Sequence, residues 1–195
     1  NNNNGQGISI WEYKGVSSNI TINNATANNN NKDRMMKING VVAGDGIIVG
    51  AESGRKVSGV QIIGGTFENN GRTGIYFYDA GGLVEDVEIN GVEASGTLVG
   101  CKPIEISNVV GVDILNNTFN HEEAQWGLWL RKITTGDVAV EGNTFNGLLG
   151  INLTDDVNTD LVTIKNNSFY NTNFNLRNDP NNNVVDATHN WWNSD

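Results

Sequence analysis

Apolar residues in this chain alternate with polar ones in short bursts, and the bursts repeat. Val112-Asp-Ile-Leu-Asn-Asn-Thr-Phe119, Val138-Ala-Val-Glu-Gly-Asn-Thr-Phe145 and Val162-Thr-Ile-Lys-Asn-Asn-Ser-Phe169 share the frame V-x-I-x-[NG]-[NG]-[ST]-F, and Val60-Gln-Ile-Ile-Gly-Gly-Thr-Phe67 fits it too. Val87-Glu-Ile-Asn-Gly-Val92 and Ile20-Thr-Ile-Asn-Asn24 are looser copies. Alternation of period two predicts a strand with one buried face. The Asn/Gly pair that follows tolerates left-handed backbone and so predicts a tight corner. A second series lies between the first: Gly7-Ile-Ser-Ile10, Gly46-Ile-Ile-Val49, Gly74-Ile-Tyr-Phe77, Pro103-Ile-Glu-Ile106, Gly127-Leu-Trp-Leu130, Gly150-Ile-Asn-Leu153 and Phe174-Asn-Leu176. From Ile47 to Ile151 its members start 28, 29, 24 and 23 residues apart.

A period of this length means stacked units that bury their apolar faces on one another. Each unit holds short strands, an Asn/Gly corner and a loop of variable length. The expectation is an all-β, right-handed parallel β-helix of about seven coils, a single domain over residues 1–195. One region departs from the period. Ile8 and Ile47 are 39 residues apart, and the 16 residues from Ile22 to Ile38 are too few for a coil, so 23–37 is expected to be a loop insertion. Val185-Asp-Ala-Thr-His-Asn-Trp-Trp192 is one more copy of the frame, with Asn190 in the Asn slot, Trp191 in the Thr slot and Trp192 in the Phe slot. Residues 185–195 are therefore expected to be a C-terminal capping repeat, the indole covering more apolar area than the phenyl ring it replaces.

Composition supports turns and strands over helices: 24 Gly against 2 Pro, abundant Asn, and many Val and Ile. The formal net charge of −10, with 12 Lys plus Arg scattered among 22 acids, argues against nucleic acid as a partner. Cys101 is the single cysteine, which excludes an internal disulfide. No apolar stretch is long enough for a membrane span. The chain starts at Asn1 without Met, and a monomeric module processed or excised from a larger extracellular or cell-surface protein is expected.

The repeat resembles the parallel β-helix repeats of the pectate-lyase-like superfamily. The ending Asn190-Trp191-Trp192 is similar to the Asn-Trp-Trp-Gly endings of many extracellular β-helix proteins, with Asn193 where Gly is usual. The resemblance implies that the Gly-Ile-x-Leu series is the strand that carries the substrate groove. Alternation then turns Ile8, Ile47, Ile75, Ile104, Leu128 and Ile151 inward. The first outward row would be Ser9, Ile48, Tyr76, Glu105, Trp129, Asn152 and Asn175, and the next Trp11, Gly50, Tyr78, Ser107, Arg131, Thr154 and Arg177. Aromatic faces beside carboxylates, amides and guanidinium groups suit a sugar, whose C–H face packs on rings while its hydroxyls hydrogen-bond. Tyr76, Tyr78, Glu105, Trp129, Asn152 and Arg177 are thus candidate residues for binding a polysaccharide. Laddered aromatics also cover one another in any sheet, so a purely structural stalk or surface module fits the same pattern.

Asp79, Lys132, Asp155 and Asp156 lie just beyond these strands, as catalytic carboxylates, Ca²⁺ ligands or a salt-bridge cluster. The resemblance also implies a uronate lyase as an alternative. Arg131 or Lys132 would take the C5 proton, and Glu105 with Asp79, Asp155 and Asp156 would hold Ca²⁺. The double Asp and Arg-x-Lys of polygalacturonases are not matched, because Arg131-Lys132 lacks the spacer and precedes Asp155-Asp156. His121 and His189 stand far apart in the repeat, His189 in an Asn slot, and are read as structural; Cys101 is read as a buried small residue.

Overall fold

The computed structural model describes residues 5–31, 37–38, 41–96, 101–154, 156–179 and 184–193. Each coil passes through three strands, every one parallel to its counterpart in the next coil. The first sheet contains Ile8–Glu12, Ile47–Ala51, Thr73–Tyr78, Lys102–Ser107 and the C-terminal parts of Thr118–Arg131, Thr144–Leu153 and Ser168–Asn178. The second contains Val16–Thr26, Lys56–Phe67, Leu83–Asn90, Val109–Leu115, Val138–Glu141 and Val162–Lys165. The third takes the ends of Val16–Thr26 and Lys56–Phe67, then Glu93–Ser95, the beginnings of the three long strands, and Trp191–Trp192. The coils opening at Ile47, Ile75, Ile104, Leu128 and Ile151 close on all three sheets, so the solenoid has about five full turns; the seven expected include the interrupted first coil and the partial last one.

Residues 23–26 continue the strand Val16–Thr26, with Asn24 (φ 49°) taking the bend that Gly64 (φ 60°) takes one coil later. Residues 27–30 stay in register too, Ala27 N and Asn29 N donating to the Thr66 and Glu68 carbonyls and the Asn30 carbonyl accepting from Gly71 N. Residues 23–30 of the insertion expected over 23–37 therefore belong to the coil, because an asparagine in left-handed backbone bends the strand rather than ending it. Lys37–Ile38 and Val41–Val42 form a short antiparallel pair, and 32–36 lie outside the described residues.

The repeat frame becomes columns of like residues. Ile62, Ile89, Ile114, Val140 and Ile164 are fully buried in one column, and Ile47, Ile75, Ile104, Leu128 and Ile151 in another. Phe119, Phe145 and Phe169 stack nearly parallel, centroids 4.5 and 4.8 Å apart, and Trp192 lies on Phe169 at 4.6 Å while staying 37% exposed. At the corner between the second and third sheets, Asn116, Gly142, Asn166 and His189 all have φ near 60°. The next residue in each coil, Asn117, Asn143, Asn167 and Asn190, forms a ladder whose first three members are buried. Asn143 shows the pattern: its Oδ1 accepts from the backbone N and Nδ2 of Asn117 at 2.8 and 3.0 Å, and its Nδ2 donates to the Ile114 carbonyl at 2.8 Å and Asn167 Oδ1 at 2.9 Å. The amide thereby satisfies backbone groups that a corner would otherwise bury unpaired. His121 is buried, which holds its imidazole below the usual range, with Nε2 against the Leu149 carbonyl where the strand pairing shifts register. Cys101 is buried and its thiol donates to the Gly71 carbonyl at 3.3 Å.

Replacing Asn143 by Ala should lower the unfolding free energy by about 2–3 kcal/mol, because it leaves several buried backbone groups without partners. Asn146, whose amide bonds among the described residues to Asn120 on the outside of the coil, should tolerate Ala within about 0.5 kcal/mol. Urea midpoints of the two variants measure the contrast.

Candidate functional site

The outward face of the first sheet carries one row in strict register: Ser9, Ile48, Tyr76, Glu105, Trp129, Asn152 and Arg177. Its last member corrects the expected assignment, which put Asn175 here and Arg177 in the second row. Leu176 pairs with Ile151, so the next residue, Arg177, stands beside Asn152; the register shift after Gly147 moves the strand by the required step. Outward does not mean exposed. Glu105 and Asn152 are each only 4% exposed and Tyr76 is buried, since neighbouring side chains close over them.

What closes over Glu105 is positive charge. Its carboxylate accepts from Lys102 Nζ at 2.8 Å and from Arg131 Nη1 at 3.1 Å. Both cations also lie against the Trp129 indole, Lys102 Nζ 4.0 Å and Arg131 Cζ 5.1 Å from the ring centroid. Trp129 is therefore a platform for two cations. One carboxylate under two cations leaves a local excess of one positive charge. The Trp129 Nε1 and Asn152 Oδ1 atoms, on neighbouring rungs, are sealed from solvent and have no partner among the described residues.

Lys132, expected as a proton acceptor or a neighbour of metal ligands, sits at φ 52° and turns its side chain back along the solenoid. Its Nζ donates to Asp79 Oδ2 at 2.8 Å, and its backbone N–H to Asp156 Oδ1 at 3.0 Å. Asp79 accepts on its other oxygen from Asn108 Nδ2 at 3.0 Å and Gly81 N at 3.1 Å. The Lys132 hydrogen bond, with that of Asn108, holds Asp79 below the usual carboxylate range, and Asp79 in turn holds the Lys132 ammonium above its usual value. Burial tends to raise Asp156, but hydrogen bonds from Thr154 and the Lys132 backbone outweigh it and leave the group low. Lys132 is a paired cation, whereas removing a C5 proton needs a neutral amine. Asp79 and Asp156 converge on Lys132, and among the described residues no three His, Cys, Asp or Glu side chains gather as a metal site would require. Ca²⁺ wants six to eight oxygens. The described donors do not fit it; Asp155 lies outside the described residues.

A groove of about 810 Å³ occupies the N-terminal half of the same face. Trp11 lies across Gly50 and stacks on Tyr78, centroids 5.6 Å apart at 27°, with Tyr13 at 6.3 Å from Trp11 and Tyr76 edge-on to Tyr78 at 5.5 Å. Arg72 spreads over the Tyr76 ring at 4.8 Å and forks onto fully buried Asp45, Nε to Oδ1 at 2.8 Å and Nη2 to Oδ2. Burial pushes the Asp45 carboxyl up against the pull of Arg72, and burial followed by Glu105 pushes the Tyr76 phenol up. Of this cluster, Tyr76 and Tyr78 were legible as site residues. Trp11 and Gly50 shared an outward row, but nothing in the repeat showed that the ring of one would cover the other; Tyr13, Asp45, Glu52 and Arg72 lie outside the groove strands' repeat rows.

The family model described as right-handed beta helix region matches residues 45–191. No curated protein sequence matches the chain. Among solved structures, the chain is similar to the Azotobacter vinelandii mannuronan C-5 epimerase AlgE4 A-module, with a TM-score of 0.59 and 17% identity over 97% of this chain. It spans 54% of that chain, and at this identity the likeness is one of fold.

Tyr76 has a measurable signature. Its raised pKa means that unfolded chains ionise first, so stability should fall as the pH climbs above the ordinary tyrosine value of about 10. Alkaline titration of phenolate absorbance should show a late phase that is absent from Tyr76→Phe.

Proposed function

Because this chain belongs to the right-handed β-helix family, with a solved structural neighbour that modifies a polysaccharide, we propose that it is a polysaccharide-binding module whose first-sheet face holds an acidic glycan at the Lys102–Glu105–Arg131 cluster. The observation that carries this reading is the shared carboxylate of Glu105: two cations converge on it over Trp129, and the surplus charge faces outward. Arg131 spends one of its five donors on Glu105 and its side chain is 36% exposed, which leaves a guanidinium edge for a sugar carboxylate. Five of the 12 Lys and Arg residues, Arg72, Lys102, Arg131, Lys132 and Arg177, stand on this face; among the described residues their ion pairs are with Asp45, Glu105, Asp79 and Asp179, Glu105 serving two of them, and Asp156 and Glu52 stand beside them. The outer face of the second sheet, by contrast, carries Glu85, Asp86, Glu88, Asp113 and Asp137, which repel a polyanion. The neighbour acts on mannuronan, itself an acidic polysaccharide. We place the module outside the cell or on its surface, where such polymers occur.

Binding is favoured over cleavage by the pairing of Lys132 with Asp79, which holds its ammonium in the charged form, and by the engagement of Arg131 with Glu105. Affinity electrophoresis through gels containing polyuronates is the test. Arg131→Ala and Trp129→Ala should each weaken retention at least tenfold, about 1.4 kcal/mol, with unchanged circular dichroism, and added salt should weaken the parent protein's retention. Ultraviolet absorbance of unsaturated product should stay flat on the same polymers. A rise abolished by Lys132→Ala would make the chain a lyase, and retention on none of them would leave a structural stalk.

A further inference from the structure

The two halves of this face differ in charge, and the difference bears on what polymer it accepts. We propose that Trp11, Tyr13 and Tyr78 form a subsite for an uncharged pyranose beside the carboxylate-binding cluster, so that the glycan bound here carries neutral sugars next to uronates. This rests on the binding reading above and deepens it.

The subsite is built by an omission. Gly50 occupies the rung between Trp11 and Tyr78, and a Cβ there would come within 2.8 Å of Trp11 Cζ3. Without it, the indole folds down over the empty rung and meets Tyr78 as one aromatic platform. Tyr78 remains 40% exposed and Tyr13 64%. Rings in this arrangement offer their faces to the C–H side of a sugar.

Charge decides which sugar. Arg72, the cation of this half, is neutralised by buried Asp45 in a forked pair, so it has little attraction left for an anion. Glu52 is exposed at the groove and uses one oxygen to accept from Trp11 Nε1 at 3.2 Å. Its other oxygen can accept from sugar hydroxyls, and its charge repels a sugar carboxylate. The aromatic half is thus suited to a neutral ring, and the Glu105 half to an acidic one. Tyr78 and Arg131 stand two rungs apart in one outward row, roughly 10 Å along the axis, so one glycan lying along the solenoid reaches both.

Calorimetric titration distinguishes the possibilities with two ligands: a hexasaccharide in which glucuronate alternates with glucose, and hexaglucuronate. The parent protein should bind the alternating ligand at least tenfold more tightly. Trp11→Ala should erase that advantage while leaving hexaglucuronate affinity unchanged, and Arg131→Ala should weaken both. Gly50→Ala removes no contacting group and only lifts the indole off its platform, so it should reproduce Trp11→Ala; it carries the test should Trp11→Ala fail to fold. Equal affinity of the parent protein for the two ligands, or equal weakening of both by Trp11→Ala and Gly50→Ala, would overturn the neutral subsite while leaving the acidic one standing. Binding of neither ligand would remove the polysaccharide reading and this inference with it.

Discussion

The parallel hydrogen-bond ladder between coils sets each residue about 4.8 Å from its counterpart in the next turn, and every other feature of the molecule works within that spacing. Inside, the rung makes like sit on like. Isoleucine columns and the phenylalanine stack fill the core because a ring or a branched chain repeats at the distance at which such groups attract. The same spacing is unforgiving for buried polar groups, since a mismatch at one coil would recur at the next. The asparagine corner resolves this by using one side chain to serve two coils at once.

Outside, the ladder imposes no likeness, and function can vary rung by rung. Tyr76, Glu105, Trp129 and Asn152 occupy equivalent positions in successive coils, yet one is a phenol under a guanidinium, one a carboxylate under two cations, one the ring beneath those cations and one an amide. Residues at or just beyond the strand ends reach onto this row: Arg72, Lys102 and Lys132 all arrive from outside its alternation. The rigid rungs set the spacing and the neighbouring segments set the charge.

The fold was legible in the sequence because its period is written in every coil: V-x-I, the Asn/Gly pair and the aromatic recur with few exceptions. The outward rows were legible for the same reason, up to Arg177, where a register shift broke the count. What the sequence did not show were contacts that no period encodes. Lys132 and Asp79 are 53 residues apart, Arg72 and Asp45 are 27, and each pair depends on how a segment leaves its strand. The site residues were individually visible, but which cation would neutralise which acid was not, and that pairing decides whether a lysine is a base or a bound charge.

The asparagine ladder has a direction. From Asn117 to Asn190 each Nδ2 donates to the Oδ1 of the next coil and never the reverse. Four amide dipoles therefore align head to tail along the axis, and each polarises its neighbours. The ends of this chain are closed as the ends of an α-helix are closed: Asn117 Oδ1 accepts from the Val92 N–H, and Asn190 Nδ2 donates to the Ala187 carbonyl. An aspartate, which only accepts when ionised, cannot take an interior place in such a chain, and neither can a lysine, which only donates. The corner thus carries a polarity that any added coil must match, so the solenoid can lengthen in one molecular orientation and not in the other.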